Sequence, residues 1–381
     1  MQQSRLTTIF IIVFIDLLGF SLILPLLPFY AEEFGASPTL IGLLVASYAA
    51  AQLVGAPILG RMSDRFGRRP ILIISIAGTL IGFLMLGFAN SLWMLFASRL
   101  LDGFTGGNIS VAQAYITDIT DEKNRAKGLG LLGAAFGLGF IIGPAIGGTL
   151  SVYGFAIPAF VAAGLSLLAL LGVIFFLPES LTEEQRTALA GKSRQEFSFK
   201  NFWAAINRPR VGPLLHIRFF YGLAFATFTT IFPLYALYRL SLDAQATGYI
   251  LTYVGLLVVF VQGFLVGRLA SRYSESNLIF ISTVILTFTF FAWAMVSSLA
   301  LLLIVLLPLA FASGVLNTLL NSSLSKSVYP EEVGGTLGLS ASLESLTRVI
   351  SPTAGGFLLG SVGTWAPGIV SGLLMICLLY T

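Results

Sequence analysis

Apolar stretches about twenty residues long recur along the whole chain, separated by short polar or glycine-rich breaks. A bilayer core is crossed by ~20 residues of helix, and twelve stretches fit that period. They cover 6–30, 39–60, 70–89, 91–117, 125–150 and 155–177, then 212–238, 246–270, 277–297, 299–325, 334–360 and 362–380. One polar connection is far longer than the rest. It covers 179–211 and holds Glu183, Glu184, Arg186, Lys192, Arg194, Lys200, Arg208 and Arg210. The pattern predicts an all-α polytopic membrane protein of twelve transmembrane helices: a six-helix bundle over 1–178, a cytoplasmic linker over 179–211 and a second six-helix bundle over 212–381.

Composition supports this reading. Hydrophobic residues make up 56% of the 381, charged residues only 10%, and the mean hydropathy is +0.92. Soluble domains carry about 25% charged residues. The apolar part of 1–29 is too long for a signal peptide, contains Asp16 and precedes no small-residue cleavage site, so it reads as the first span. Cys377 is the sole cysteine, which excludes an intrachain disulfide.

The basic residues alternate between sides. If the N-terminus is cytoplasmic, the cytoplasmic segments take Arg5, Arg61, Arg65, Arg68, Arg69, Lys123, Arg125, Lys127, the six of the linker, Arg268, Arg272 and Lys326. Only Arg239 falls in an outside loop, while Arg99, Arg218 and Arg348 fall within spans. Short cytoplasmic loops collect Lys and Arg, so this asymmetry predicts an even number of spans with the N-terminus inside.

An internal repeat divides the chain at the same place. Gly60-Arg61 recurs as Gly267-Arg268, 207 residues on. Pro25-Leu26 recurs as Pro233-Leu234, and the run from Gly143-Pro144 to Gly148 as Ser351-Pro352 to Gly356, both 208 residues on. Two parallel repeats of this kind place a substrate site near the midplane between them.

Several of these segments resemble motifs of the major facilitator superfamily. Gly60 to Arg69 resembles the signature loop Gly-x-Leu-Ala-Asp-Arg-x-Gly-Arg-Arg, with Met62 and Ser63 as departures. Arg99 to Gly103 resembles the fourth-helix motif Arg-x-x-x-Gly. Gly139, Gly143, Pro144, Gly147 and Gly148 fall as in the fifth-helix motif of the antiporter branches. Asp16 to Phe20, followed by Pro25, resembles the first-helix motif of twelve-span drug–proton antiporters, tetracycline exporters among them. The resemblance covers essentially the whole chain. It implies a secondary transporter of alternating access, with proton-coupled efflux of a small amphiphilic or hydrophobic compound.

Read physically, Gly139, Gly143 and Gly147 are four apart and share one helix face, where a second backbone can approach closely. Pro144 removes a helical hydrogen bond. Plain tight packing is one reading; a dry seal between the two halves is the other, and the coincidence with Pro144 and Gly148 favours the seal. Thr347 and Ser351 replace two of these glycines in the second half, which places the specialised seal in the first.

A charge at membrane depth costs about 2.5–3.5 kcal/mol on insertion scales, so it is paired, neutralised or facing water. Asp16 lies about ten residues into the first span, and Arg99 and Asp102 share a face of the fourth. Asp16, Asp102 and Arg99 are the proton-coupling candidates, Arg99–Asp102 reading equally as a permanent ion pair. Glu344 and Arg348 read as a structural i, i+4 pair. Arg218 is expected to snorkel to the interface, and His216, the lone histidine, to be solvated. In the family pattern an acid at the place of Asp118 meets the signature-loop arginines. This implies a conformational latch of Gly60, Asp64, Arg65, Gly67, Arg68 and Asp118. In the second half Ser271, Ser274 and Glu275 stand at the places of Asp64, Gly67 and Arg68, so the latch reads as one-sided.

Gln52, Asn108, Gln113, Tyr221, Gln262 and Asn317 are the polar or aromatic residues at mid-depth. They are substrate-cavity candidates, with interhelical hydrogen bonding as the alternative. Many aromatics and few charges suit an amphiphile better than a sugar. No phosphate-binding loop appears, no Cys/His cluster suggests a metal or cofactor, and the basic residues form no nucleic-acid patch. The partners expected are a small-molecule substrate, protons and the lipid bilayer. The repeat makes a monomer sufficient, and short outer loops suit a bacterial inner membrane. Metabolite import or facilitated exchange is the alternative within transport; a non-transporting receptor or a lipid-modifying enzyme is the alternative outside it.

Overall fold

The computed structural model describes residues 2–190, 208–329 and 332–379. Lys192, Arg194 and Lys200 of the expected linker lie outside them. Among the described residues the elements are helical: α1 (Gln2–Ile23), α2 (Leu27–Glu33), α3 (Pro38–Phe66), α4 (Arg68–Gly87), α5 (Leu92–Thr105), α6 (Asn108–Ile119), α7 (Glu122–Ser151), α8 (Ala156–Phe176) and α9 (Glu183–Ala190). Then follow α10 (Gly212–Leu240), α11 (Ala244–Phe260), a π-helical turn Val261–Leu265 that runs into α12 (Val266–Ala270), α13 (Glu275–Ala294), α14 (Leu299–Lys326), α15 (Val333–Ser361) and α16 (Ala366–Leu379).

Nine described helices are long and apolar enough to cross a membrane. The other three expected spans are present in altered form, consistent with twelve. The fourth is broken into α5 and α6. The eleventh, α15, carries Glu344 and Arg348 on a glycine- and serine-rich helix. The twelfth, α16, has 14 residues.

The fourth span breaks at Gly106-Gly107, where two residues of poor helix propensity adjoin. The carbonyls freed there find side chains, as backbone groups away from water must. Gln52 Nε2 donates to Gly106 O at 2.9 Å, and the Ser75 hydroxyl donates to Thr105 O. Gln52, expected to face substrate, thus holds the break.

The chain forms two compact units. The first comprises residues 1–36, 47–194 and 244–252; the second comprises 37–46, 195–243 and 253–381. In the first, Ile9, Ile12, Leu17, Ile71, Leu72, Ile76, Tyr115, Ile116, Ala135 and Val173 form a continuous core from α1, α4, α6, α7 and α8. In the second, Trp293 is fully buried, with Phe228 at 5.0 Å and Tyr235 at 4.9 Å between ring centroids.

The glycine stripe of α7 packs on α1, which corrects the expectation that it faces the other half. A Cβ at Gly139 would meet Leu17 Cβ at 3.5 Å, one at Gly143 would meet Leu22 N at 2.8 Å, and one at Gly147 would overlap Leu22 O. Ser21 Oγ donates to Gly139 O at 2.8 Å within this contact. Pro144 and Gly148 have a different neighbour, the segment 244–252 of the same unit. A Cβ at Gly248 would overlap Pro144 O, and one at Gly148 would meet Gln245 O at 3.1 Å. Thr252 Oγ1 donates to Ile141 O at 3.0 Å along the same line. The second unit repeats the arrangement. A Cβ at Gly42 would overlap Pro352 O, and one at Gly356 would overlap Pro38 O. The close-packed proline contact is therefore present in both units, not in the first alone.

Candidate functional site

In the first unit, α5 carries Arg99 and Asp102 one turn apart, each side chain 3% exposed. Arg99 Nη1 lies 3.1 Å from Asp102 Oδ2. The alignment is that of an ion pair rather than a directed hydrogen bond, and Arg99 Nη2 has no hydrogen-bond partner among the described residues. The guanidinium stacks over Phe83, 5.3 Å from the ring centroid, an attraction that strengthens on desolvation. Gly82 lets α4 approach: its Cβ would meet Asp102 Cβ at 3.0 Å.

Asp16 is buried within electrostatic range of Asp102. Its Oδ2 accepts a hydrogen bond from Asn108 Nδ2, while Oδ1 has no partner among the described residues. Asn108 opens α6 directly after the break, so the interrupted span delivers that amide to the carboxylate. Two buried acids thus lie in the interior of this unit, Asp102 paired with Arg99 and Asp16 held by Asn108.

At one end of the unit, Arg68 gathers the signature loop. Its Nη1 lies 2.6 Å from Asp64 Oδ1 and 2.7 Å from Ser63 Oγ, and its Nε lies 2.9 Å from Asp118 Oδ2. Asp64, Arg68 and Asp118 meet; Gly60 and Arg65 stay outside the contact. Arg65 is exposed beside the Phe66 ring, and a Cβ at Gly60 would meet open space.

Two further participants were not anticipated. Glu179 accepts from the backbone N–H of Arg68 at 2.9 Å and of Arg69 at 3.1 Å, capping the start of α4. Gly67, at φ +106°, leaves room for it, since a Cβ there would stand 2.5 Å from Glu179 Oε2. The available signal was an acid placed directly after Pro178. Arg69, read as a topology anchor, donates from Nη2 to Ile174 O at 2.5 Å, near the C-terminal end of α8, where a cation is favoured.

The second unit holds a charged group that the sequence reading misplaced. Arg218 does not snorkel. It is 7% exposed, donates from Nη1 to Asn317 Oδ1 at 2.6 Å and pairs through Nη2 with Glu344 Oε2. Arg348 Nη2 reaches the other oxygen of Glu344 at 2.7 Å. Tyr221 is buried and donates to Ser313 O at 3.3 Å. Of the cavity candidates, Asn108 and Asn317 thus serve charged side chains and Tyr221 a carbonyl, while Gln113 and Gln262 are exposed, the latter in the π-helical turn. His216 Nδ1 lies 2.8 Å from Gly212 O. Glu275 collects Ser322 Oγ and Ser323 Oγ, each at 2.9 Å, and Lys326 Nζ at 2.7 Å. Glu275 and Lys326 thus keep a contact in the second half, at the places of Arg68 and Asp118, while Ser271, at the place of Asp64, donates to Arg268 O. Among the described residues no group of three or more His, Cys, Asp and Glu is placed to hold a metal ion.

Two helical units of membrane-spanning length, each with titratable side chains held in its interior, suit a membrane transporter. The chain belongs to the major facilitator superfamily, whose family model matches residues 9–352. It is 33% identical to the class H tetracycline resistance protein of Pasteurella multocida, over 96% of this chain and 91% of that one. It is 35% identical to the class B tetracycline resistance protein of Escherichia coli, over 90% and 85%. The crystal structure of the human organic anion transporter MFSD10 (TETRAN) shares the fold at a TM-score of 0.72 and 24% identity, covering 100% of this chain and 99% of that one.

Proposed function

We propose that this transporter is a proton-coupled exporter of a small amphiphilic or hydrophobic compound. The observation that carries the reading is a pair of buried acids on different helices of one unit, Asp102 paired with Arg99 and Asp16 held by the Asn108 amide alone. Two carboxylates in one low-dielectric site resist holding two negative charges, so one of them is the natural place for a transported proton. Relatives named for tetracycline resistance support a drug-class substrate and outward movement. In this reading the N-terminus is cytoplasmic, the chain is a monomer in a bacterial inner membrane, and its working halves are 1–178 and 212–381 joined by a cytoplasmic linker. Arg68 with Asp64 and Asp118 acts as the latch, and Pro144 with Gly148 as part of the seal.

The test is drug-stimulated proton release from proteoliposomes under an imposed pH gradient. Asp16→Asn should abolish it while the purified variant keeps the thermal midpoint of the parent; Asp102→Asn should abolish it too, with a lowered midpoint because Arg99 loses its buried partner. Flux that ignores the gradient in the parent would replace this reading with facilitated exchange or import. In that case the closed Arg99–Asp102 pair is structural only.

A further inference from the structure

We infer that the second unit holds an anion site, built from Arg218, Asn317, Glu344 and Arg348, that takes the carboxylate of an amphiphilic substrate. The inference rests on the transport reading for the ligand's role but not on proton coupling.

Charge balance is the first argument. Both oxygens of Glu344 are engaged, one by Arg218 and one by Arg348. Two guanidinium groups therefore share one carboxylate and leave a surplus positive charge. Of the remaining charged residues on α10, α14 and α15, Arg239 donates to Val296 O at 3.1 Å and Lys326 is taken by Glu275. Neither supplies a compensating negative charge. An unbalanced charge at membrane depth is costly, and a bound counter-anion removes that cost.

Access is the second argument. Arg218 is buried, but the Arg348 side chain is 58% exposed and that of Glu344 35%. Arg348 stands fifteen residues into the 29-residue α15, about 22 Å from its start at 1.5 Å per residue. A half-exposed arginine at the middle of this helix is open to a ligand from outside the protein interior, and a charge at membrane depth favours water over lipid. Its planar fork has donors beyond the one given to Glu344, and such a fork matches a carboxylate in bidentate fashion. Asn317 gives its oxygen to Arg218 and keeps its amide N–H groups as donors. Arg218 Nε, buried with no partner among the described residues, is a further unused donor. The unused groups named here are donors, while both Glu344 oxygens and the Asn317 oxygen already accept from a guanidinium. The complement of such a group is an anion. Glu344 occupies the place a substrate carboxylate would take, so it competes with the ligand.

The experiment uses two isosteric probes, 1-naphthylacetate and 1-naphthylacetamide, titrated calorimetrically onto the full chain in detergent at neutral pH without a gradient. The carboxylate is expected to bind at least about tenfold more tightly than the amide, the worth of one charge-assisted hydrogen bond. Arg348→Gln should abolish that preference and leave amide binding unchanged; Arg348→Lys should restore part of it. Glu344→Gln, which removes the competitor, should tighten carboxylate binding several-fold, a gain that misfolding cannot produce. Equal affinities for the two probes, no binding of either, or an unchanged preference in Arg348→Gln overturns the site. Because no proton flux is read, failure here is separable from failure of the Asp16 test.

Discussion

Glu275 and Lys326, 2.7 Å apart, stand 207 and 208 positions after Arg68 and Asp118, the two offsets of the internal repeat. The contact between these places is thus present in both halves of the chain with its polarity exchanged: base then acid in the first, acid then base in the second. The environments differ as well. The Arg68 side chain is 5% exposed and that of Lys326 is 68%.

That difference sets the first prediction. Removing one partner of a buried ion pair costs about 3–5 kcal/mol, whereas an exposed pair contributes about 0.2–1 kcal/mol. Arg68→Ala should lower the thermal midpoint in detergent markedly, and Lys326→Ala should barely move it. Equal shifts would show that burial does not distinguish the two contacts.

The second concerns the start of α4. Glu179→Ala removes the acceptor for two backbone N–H groups and should destabilise by about 1–2 kcal/mol, with Glu179→Gln milder because its oxygen can still accept. Gly67→Ala should be worse than either, since a side chain there meets both a left-handed φ and the Glu179 carboxylate. Denaturation of the three variants side by side gives the order.

The third separates packing glycines from idle ones on a single helix. Gly143→Ala forces a methyl onto Ser21 and the Leu22 backbone and should reduce folded yield sharply. Gly130→Ala meets open space and should stabilise α7 by about 0.5–1 kcal/mol. Size-exclusion profiles and thermal midpoints report both.

The fourth is a pH dependence outside the membrane. The hydrogen bonds from Arg208, at 2.9 and 3.0 Å, hold the Glu332 carboxyl below the usual range. A depressed folded value means that the contribution is present above the unfolded value of about 4.3 and is lost as pH falls through the folded one. The difference in thermal midpoint between the parent and Arg208→Gln should therefore shrink on acidification from pH ~7 to ~3 and be reduced by salt. A difference independent of pH would remove the pair from the account.

The spans, the repeat and the meeting of Asp64, Arg68 and Asp118 were all legible in the sequence, because each leaves a local mark: hydrophobic length, a fixed offset, a motif. The partners of Arg218 were not legible. Asn317 is 99 residues away and Glu344 is 126, and no local rule links them, so Arg218 read as an interfacial cation. The role of Glu179 was obscured by the polar stretch it opens. The break in the fourth span did have a signal, two adjacent glycines, but the surrounding apolar run masked it. The polarity reversal at Glu275 was equally visible at the repeat offset. An acid at the place of a base reads as decay of the motif, although the contact survives with its charges exchanged.

A continuous helix behaves as a lever: a tilt at one end is carried to the other. The fourth span is instead two short rods joined by Gly106 and Gly107. One rod carries Arg99 and Asp102; the other carries Asn108 and, near its far end, Asp118, tied to Arg68. The joint keeps short backbone bonds, Gly106 N–H to Gly103 O at 3.0 Å and Gly107 N–H to Thr105 O at 2.7 Å, and the side chains of Gln52 and Ser75 brace it. A displacement at the signature loop should therefore reach Asn108, and through it Asp16, before it reaches the rod bearing Arg99 and Asp102. Asp102 and Asn108 thus belong to separate rods although they share one span's length of chain.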